Sequence, residues 1–312
     1  MTQLAFVFPG QGSQRIGMGA ELARTYPVAD AVFQEADAAL GRALRQLCFE
    51  GPETDLKRTE NTQLAILVCS VATLRVLETL GIVPNAVAGH SLGEYSALVA
   101  AGVLDFPDAL RLVHARASYM AEAGETQRGT MAAILGMETE QLQEFCDTVE
   151  GVVNIANYNC PGQLVISGEA ETVNGVVSLA KAEIGERRCR LLPVSGAFHS
   201  PLMVPAQQKF GAVLDSVTLH PPKIDIAMNV TGTFATGADD IRHLLFEQIT
   251  QPVQWEKTLK TIEGTGITHF VEVGPGKVLS GLVKRTLPES GAMNVEDVKT
   301  LSVVADEYGD NK

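Results

Sequence analysis

The sequence predicts an α/β fold, with a large unit on a largely parallel sheet and a small βαββαβ unit inserted into it. Three observations carry this reading. Strand-like apolar runs alternate with segments of helical periodicity in the first and last parts of the chain, the pattern of strands joined by helical crossovers. Between Gly129 and Ser195 the order changes to strand, helix, strand, strand, helix, strand. A Gly-x-Ser-x-Gly pentapeptide, Gly89 to Gly93, stands between an apolar run and a helix-like run. At 312 residues, 46% apolar and 20% charged, the chain can bury a sizeable core.

Each element follows from local pattern. "LAFVFPG" from Leu4 reads as a first strand, halted by Pro9. "TQLAILVCSVATLRVLETLG" repeats apolar residues at helical spacing and ends at Gly81. "VPNAVAGH" is a short buried strand, and "LGEYSALVAAG" a helix with Leu92, Tyr95, Leu98 and Val99 on one face. Ser91 therefore sits at a strand-to-helix turn. Further on, "TMAAILGM" reads as a strand, "TEQLQEFCDTV" as a helix, and "VVNIANYN" and "GQLVISG" as a strand pair. "ETVNGVVSLAKAE" and "RRCRLLPVS" complete the unit as helix and strand. That order is ferredoxin-like. It places an inserted domain at 126–194, with 1–125 and 195–312 forming one discontinuous large domain.

Composition excludes several classes. A net charge of −13 repels a phosphate backbone, so nucleic acid is a poor partner, although Arg187, Arg188 and Arg190 form a local basic cluster. The five cysteines are scattered with no C-x-x-C, which argues against a disulfide framework or a zinc site and fits a reducing compartment. The N-terminus has no basic leader, and the apolar stretch "LAILVCSVATL" is too short to span a bilayer, so a cytoplasmic protein without a membrane partner is expected. "GQGSQR" lacks the last glycine of a dinucleotide fingerprint and "GPGKVLS" lacks P-loop spacing. No metal or bound cofactor is expected.

A serine hydroxyl becomes a nucleophile when a base takes its proton and backbone amides receive the oxyanion. A strand-turn-helix elbow serves both needs: it pushes Ser91 outward and aims the Leu92 amide at the incoming carbonyl. Six histidines could supply the base. His90 is held by the turn to point elsewhere, His114 lies within a helical segment, and His220, His243 and His269 carry no mark. His199, in "PVSGAFHSPLM", falls where the chain re-enters the large domain, a natural place for a cleft. Pattern alone leaves a structural histidine there as the alternative.

Five motifs in register, "FVFPGQGSQ", "GHSLGEYSAL", "GAFHSPLM", "PVQW" and "EVGPGKVLSGLVKR", resemble the malonyl-CoA:acyl carrier protein transacylases of fatty acid synthesis, from Met1 to about Arg285. The resemblance implies an α/β-hydrolase-like large domain with a ferredoxin-like insertion. It also implies malonyl-CoA as donor, coenzyme A as leaving group and the phosphopantetheine arm of acyl carrier protein as acceptor. Carried over by motif, the nucleophile falls on Ser91 and the base on His199, with the main-chain carbonyl of Gln248 orienting that base. The oxyanion donors fall on the amides of Gln11 and Leu92, and the reader of the substrate's free carboxylate on Arg116. Asn157 and Asn159, in "NYNCPGQ", match a loop that touches coenzyme A; as residues alone they read equally as turn formers. Phe198 falls in "GAFH", similar to the malonyl-selecting H-A-F-H of related synthase domains, but Gly196 stands where those have histidine.

Arg116 is unusual on its residues alone, since its spacing from Val113 and Met120 sets it beside an apolar stripe, where arginine is rare without a partner. Snorkelling at a helix edge is the ordinary alternative. Two rival functions remain open at this level. A serine thioesterase or esterase shares the elbow and differs in letting water attack. A noncatalytic scaffold that binds carrier protein keeps the fold but has no need of Ser91, His199 and Gln11 together.

Overall fold

The computed structural model describes residues 2–309. β1 (Leu4–Phe8), β2 (Ala86–Gly89), β7 (Asp225–Ala227), β8 (His269–Val273) and β9 (Gly291–Val295) form a five-stranded sheet in the order β7-β2-β1-β8-β9, every pair parallel. Both faces of a parallel sheet are covered, so its strands are apolar on both sides. In β1, Leu4, Phe6 and Phe8 enter one core with the helix Thr59–Thr79. Ala5 and Val7 enter a second core with Trp255, Leu259 and Leu282.

The remaining strands, β3 (Gly129–Leu135), β4 (Val153–Cys160), β5 (Gln163–Glu169) and β6 (Cys189–Leu191), form an antiparallel sheet in the order β4-β5-β3-β6. The helices Thr139–Thr148 and Ala170–Ile184 cover one face, sealing Ile134, Leu142, Ile166 and Val176 into a third core. Met131 and Val165, on the opposite face, turn toward the first core.

Three expectations need correction. "RRCRLLPVS" forms a strand only over Cys189–Leu191, because Glu186–Arg188 close a 3₁₀ turn first. Asn157 and Asn159 lie on β4, as the strand-like run "VVNIANYN" predicts, and not in the loop that the family resemblance implies; the register of β4 with β5 shifts at this stretch. The apolar helix is longer than its apolar run: Thr59–Thr79 has 21 residues and contains an 18-residue window of mean hydropathy 1.3, enough to cross a membrane by length and composition. It is instead a core helix, with 83% of its apolar window buried.

Candidate active site

β2 ends at Gly89 and the next helix begins at Gly93, leaving Ser91 at the apex of the turn with φ 51°. His199 has φ 57°, and these are the two non-glycine residues in the left-handed region among those described. Such backbone costs about 1–3 kcal/mol per residue and persists only where its surroundings over-determine it. Here they do. Asn229 Oδ1 accepts the Ser91 N–H at 2.6 Å and Gln248 Nε2 donates to the Ser91 carbonyl at 2.9 Å. Asn154 Nδ2 donates to the His199 carbonyl at 3.0 Å.

The elbow's glycines answer to close approach. A Cβ on Gly89 would lie 1.9 Å from the carbonyl carbon of Gly93, and one on Gly93 would lie 2.0 Å from the carbonyl oxygen of Phe8. Both obstacles are backbone and neither can swing away. Gly93→Ala is expected to lose about 3 kcal/mol, the upper end of the overpacking range, read as a lower urea midpoint; an unchanged midpoint would mean that the turn relaxes freely.

The His199 Nδ1–H donates to the Gln248 carbonyl at 2.8 Å, with the Gln251 carbonyl at 3.2 Å. Carbonyls only accept, so Nδ1 carries the proton and Nε2 is left to accept the Ser91 hydroxyl at 2.8 Å. Burial, and then the nearby Arg116 cation, push the imidazole down to about 3, so it is neutral at neutral pH.

Arg116 projects from the helix Phe106–Thr126 and is 1% exposed. Its Nη1 donates to Gln63 Oε1 at 2.6 Å, and its Nη2 to Gln248 Oε1 at 3.0 Å and Ser91 Oγ at 3.1 Å. All three acceptors are neutral. A buried guanidinium held only by neutral groups favours an incoming anion, because unpaired buried charge is costly.

These groups line a cleft of about 320 Å³ between the two sheets. Gln11, Ser91, Leu92, Arg116, Phe198 and His199 line it from the large-sheet side, and Asn157 and Asn159 from β4. Among the described residues neither the Gln11 nor the Leu92 amide donates to another group of the chain. Asn159 Oδ1 bonds His90 Nε2 at 2.8 Å, and the His90 ring lies 5.4 Å from that of Trp255, which accounts for its pointing away from Ser91. Sequence patterns left out Gln63, Glu94 and Asn229. Glu94 carried a usable signal, a carboxylate in an otherwise apolar helical run; Asn229 carried none.

An activated serine beside a buried cation equips a cleft for acyl transfer, and a family model described as acyl transferase domain matches residues 5–310. The chain belongs to the malonyl CoA-acyl carrier protein transacylases within that family. The transacylase of Bacillus subtilis is 46% identical over 306 residues, covering 97% of this chain and 96% of that one. The Escherichia coli protein is 46% identical over 288 residues, 91% and 93% of the two chains. The solved malonyl-CoA:acyl carrier protein transacylase of Xanthomonas oryzae superposes with a TM-score of 0.95 at 42% identity, covering 99% of this chain and 100% of that one. A malonyl-transacylase solved in complex with its type II PKS acyl-carrier protein has a TM-score of 0.94 at 41% identity, with 98% and 100% covered.

Proposed function

We propose that this chain transfers the malonyl group of malonyl-CoA to the phosphopantetheine thiol of acyl carrier protein through a malonyl ester on Ser91. One observation carries the reading: Ser91 Oγ lies 2.8 Å from a neutral imidazole nitrogen and 3.1 Å from a buried guanidinium. A nucleophile, its base and a group that reads a carboxylate thus meet at one atom.

His199 Nε2 takes the Ser91 proton as Oγ attacks the thioester carbonyl. The oxyanion is received by the Gln11 and Leu92 amides. Collapse breaks the carbon–sulfur bond, and coenzyme A leaves with the proton returned by His199. In the second half-reaction the carrier thiol gives its proton to His199 and attacks the ester, and Ser91 leaves with that proton. Arg116 holds the free carboxylate throughout, and pairing there offsets the charge that depresses His199, so the acyl group that fits the cleft also strengthens the base. Asn157 and Asn159 line the coenzyme A side, and Phe198 limits the space beside the acyl carbon.

Malonyl-CoA and a phosphopantetheinylated carrier, followed for transfer against hydrolysis, test this directly. Malonyl-carrier should accumulate with little free malonate. Malonate released faster than carrier is loaded would replace the reading with a thioesterase.

In finer detail we read the architecture as α/β-hydrolase-like over 1–125 plus 195–312, with a ferredoxin-like insertion at 126–194. The parallel order β7-β2-β1-β8-β9 and the antiparallel order β4-β5-β3-β6 support this. A cytoplasmic setting is supported by the five cysteines, all free and buried.

Carrier proteins that present acidic surfaces must approach a chain of net charge −13, so docking needs a local positive patch. Arg187, Arg188 and Arg190 on the small unit, and Lys277, Lys284 and Arg285 beside the cleft-lining Val278, are exposed. Charge reversal in one group is expected to weaken transfer to the carrier in a salt-dependent way and leave loading from malonyl-CoA intact. Both half-reactions falling together would assign that group elsewhere.

A further inference from the structure

Glu94 is the second residue of the helix Gly93–Ala100, three positions after the nucleophile, and is fully buried. Its partners are neutral donors. Oε1 accepts the Asn229 N–H at 2.6 Å and Asn229 Nδ2 at 2.8 Å, and Oε2 accepts Gln248 Nε2 at 2.6 Å. Both partners then act on the site. Asn229 Oδ1 receives the Ser91 N–H, and its Nδ2 also donates to the Gly89 carbonyl at 2.6 Å. Gln248 donates to the Ser91 carbonyl, offers Oε1 to Arg116 and presents its own carbonyl to His199.

Side-chain amides have a donor end and an acceptor end of nearly equal shape, and only their neighbours decide which way round they sit. An ionised carboxylate is acceptor-only, so it can face only the NH₂ ends of Asn229 and Gln248. That choice acts together with the Gly89 and Ser91 carbonyls, which accept from the same NH₂ groups, to turn Asn229 Oδ1 toward the Ser91 amide and Gln248 Oε1 toward Arg116. A protonated Glu94 would put an O–H against a donor and leave the Gly89 and Ser91 carbonyls alone to hold the two NH₂ ends. We propose that Glu94 is a positioning residue of this site, whose carboxylate fixes both amides and, through them, the backbone of the nucleophile and the guanidinium that reads the substrate.

The same carboxylate offsets the Arg116 charge without touching it, which leaves the guanidinium free for a substrate anion. Around Glu94, Arg116 faces it from the helix Phe106–Thr126, Tyr95 follows it on its own helix and His199 lies beyond Gln248. β1 and β2 carry no ionisable side chain. On the packed helix Thr59–Thr79, Glu60, Arg75 and Glu78 reach solvent and Cys69 turns to the Met18 carbonyl. Burial pushes the Glu94 carboxyl up to about 7 against the pull of its donors and Arg116. It therefore titrates in the neutral range, well above the imidazole of His199.

The inference rests on the serine-ester reading, and its test separates the two. The measurement is kcat/KM for loading Ser91, from malonyl-CoA and from acetyl-CoA, between about pH 5 and about pH 9. Malonyl loading by the unmodified protein should fall roughly tenfold per pH unit below about pH 7. Glu94→Gln should lower the plateau at least about tenfold for malonyl, less for acetyl, and lose that acid limb. A purely structural role would lower both substrates equally and keep the limb, which overturns the proposal. If melting curves show Glu94→Gln unfolded, Glu94→Asp, which keeps the charge but draws the carboxylate back from Asn229 and Gln248, decides: malonyl loading lowered more than acetyl loading upholds the proposal, and both lowered equally overturn it. Absence of loading at every pH would instead defeat the serine-ester reading.

Discussion

Replacing His199 with alanine is expected to slow loading of Ser91 from malonyl-CoA by roughly 10² to 10⁴-fold, the usual contribution of a positioned general base. Nε2 is 2.8 Å from Ser91 Oγ, and the Nδ1 proton is committed to the Gln248 and Gln251 carbonyls. A carbonyl orients the ring but stabilises the imidazolium less than a carboxylate would, so on the proposed reading a substrate charge paired with Arg116 would supply part of what an aspartate gives elsewhere. Ser91→Ala should show no malonyl adduct by intact mass. The cysteines offer no substitute: burial raises Cys69 and Cys160, so neither is a ready thiolate. Label on either cysteine would sink the assignment of Ser91. A near-normal rate in His199→Ala would move the base elsewhere, though His90 is already engaged with Asn159.

The difference between what the sequence discloses and what it hides follows the range of the interactions. Ser91 was legible because an elbow is local: five residues, two glycines, a strand before and a helix after. The parallel strands were legible because sheets covered on both faces leave continuous apolar runs. The last strand of the small unit was overdrawn because an apolar run does not reveal a 3₁₀ turn before it or an exposed Leu191 within it. For Asn157 and Asn159 the strand-like run "VVNIANYN" is the better guide than the turn preference of asparagine, and the β4 backbone carries both into the cleft. Glu94 and Asn229 lie 135 residues apart in sequence, and Ser91 and Gln248 lie 157 apart. No local pattern records such pairs, and Gln248 was named through family resemblance alone.

Arg116→Ala should lose malonyl loading by well over tenfold, because truncating one partner of a buried hydrogen-bonded charge pair costs about 2 to 5 kcal/mol. The loss should depend on the acyl group. Malonyl brings an anion that would be left desolvated in the cleft without its partner; acetyl brings none. For acetyl the mutation removes a bond from Nη2 to Ser91 Oγ and also removes the cation that holds His199 down, effects of opposite sign. Acetyl loading should therefore hold steady or rise. Arg116→Lys should recover only part of the malonyl rate, since an ammonium cannot reproduce the planar fork that spans Gln63 Oε1 on one nitrogen and Gln248 Oε1 on the other. The readout is the ratio of malonyl to acetyl loading on Ser91 in the unmodified protein and both variants. A ratio unchanged in Arg116→Ala would mean that the carboxylate is read elsewhere in the cleft, and would reduce this arginine to a strut beneath the serine.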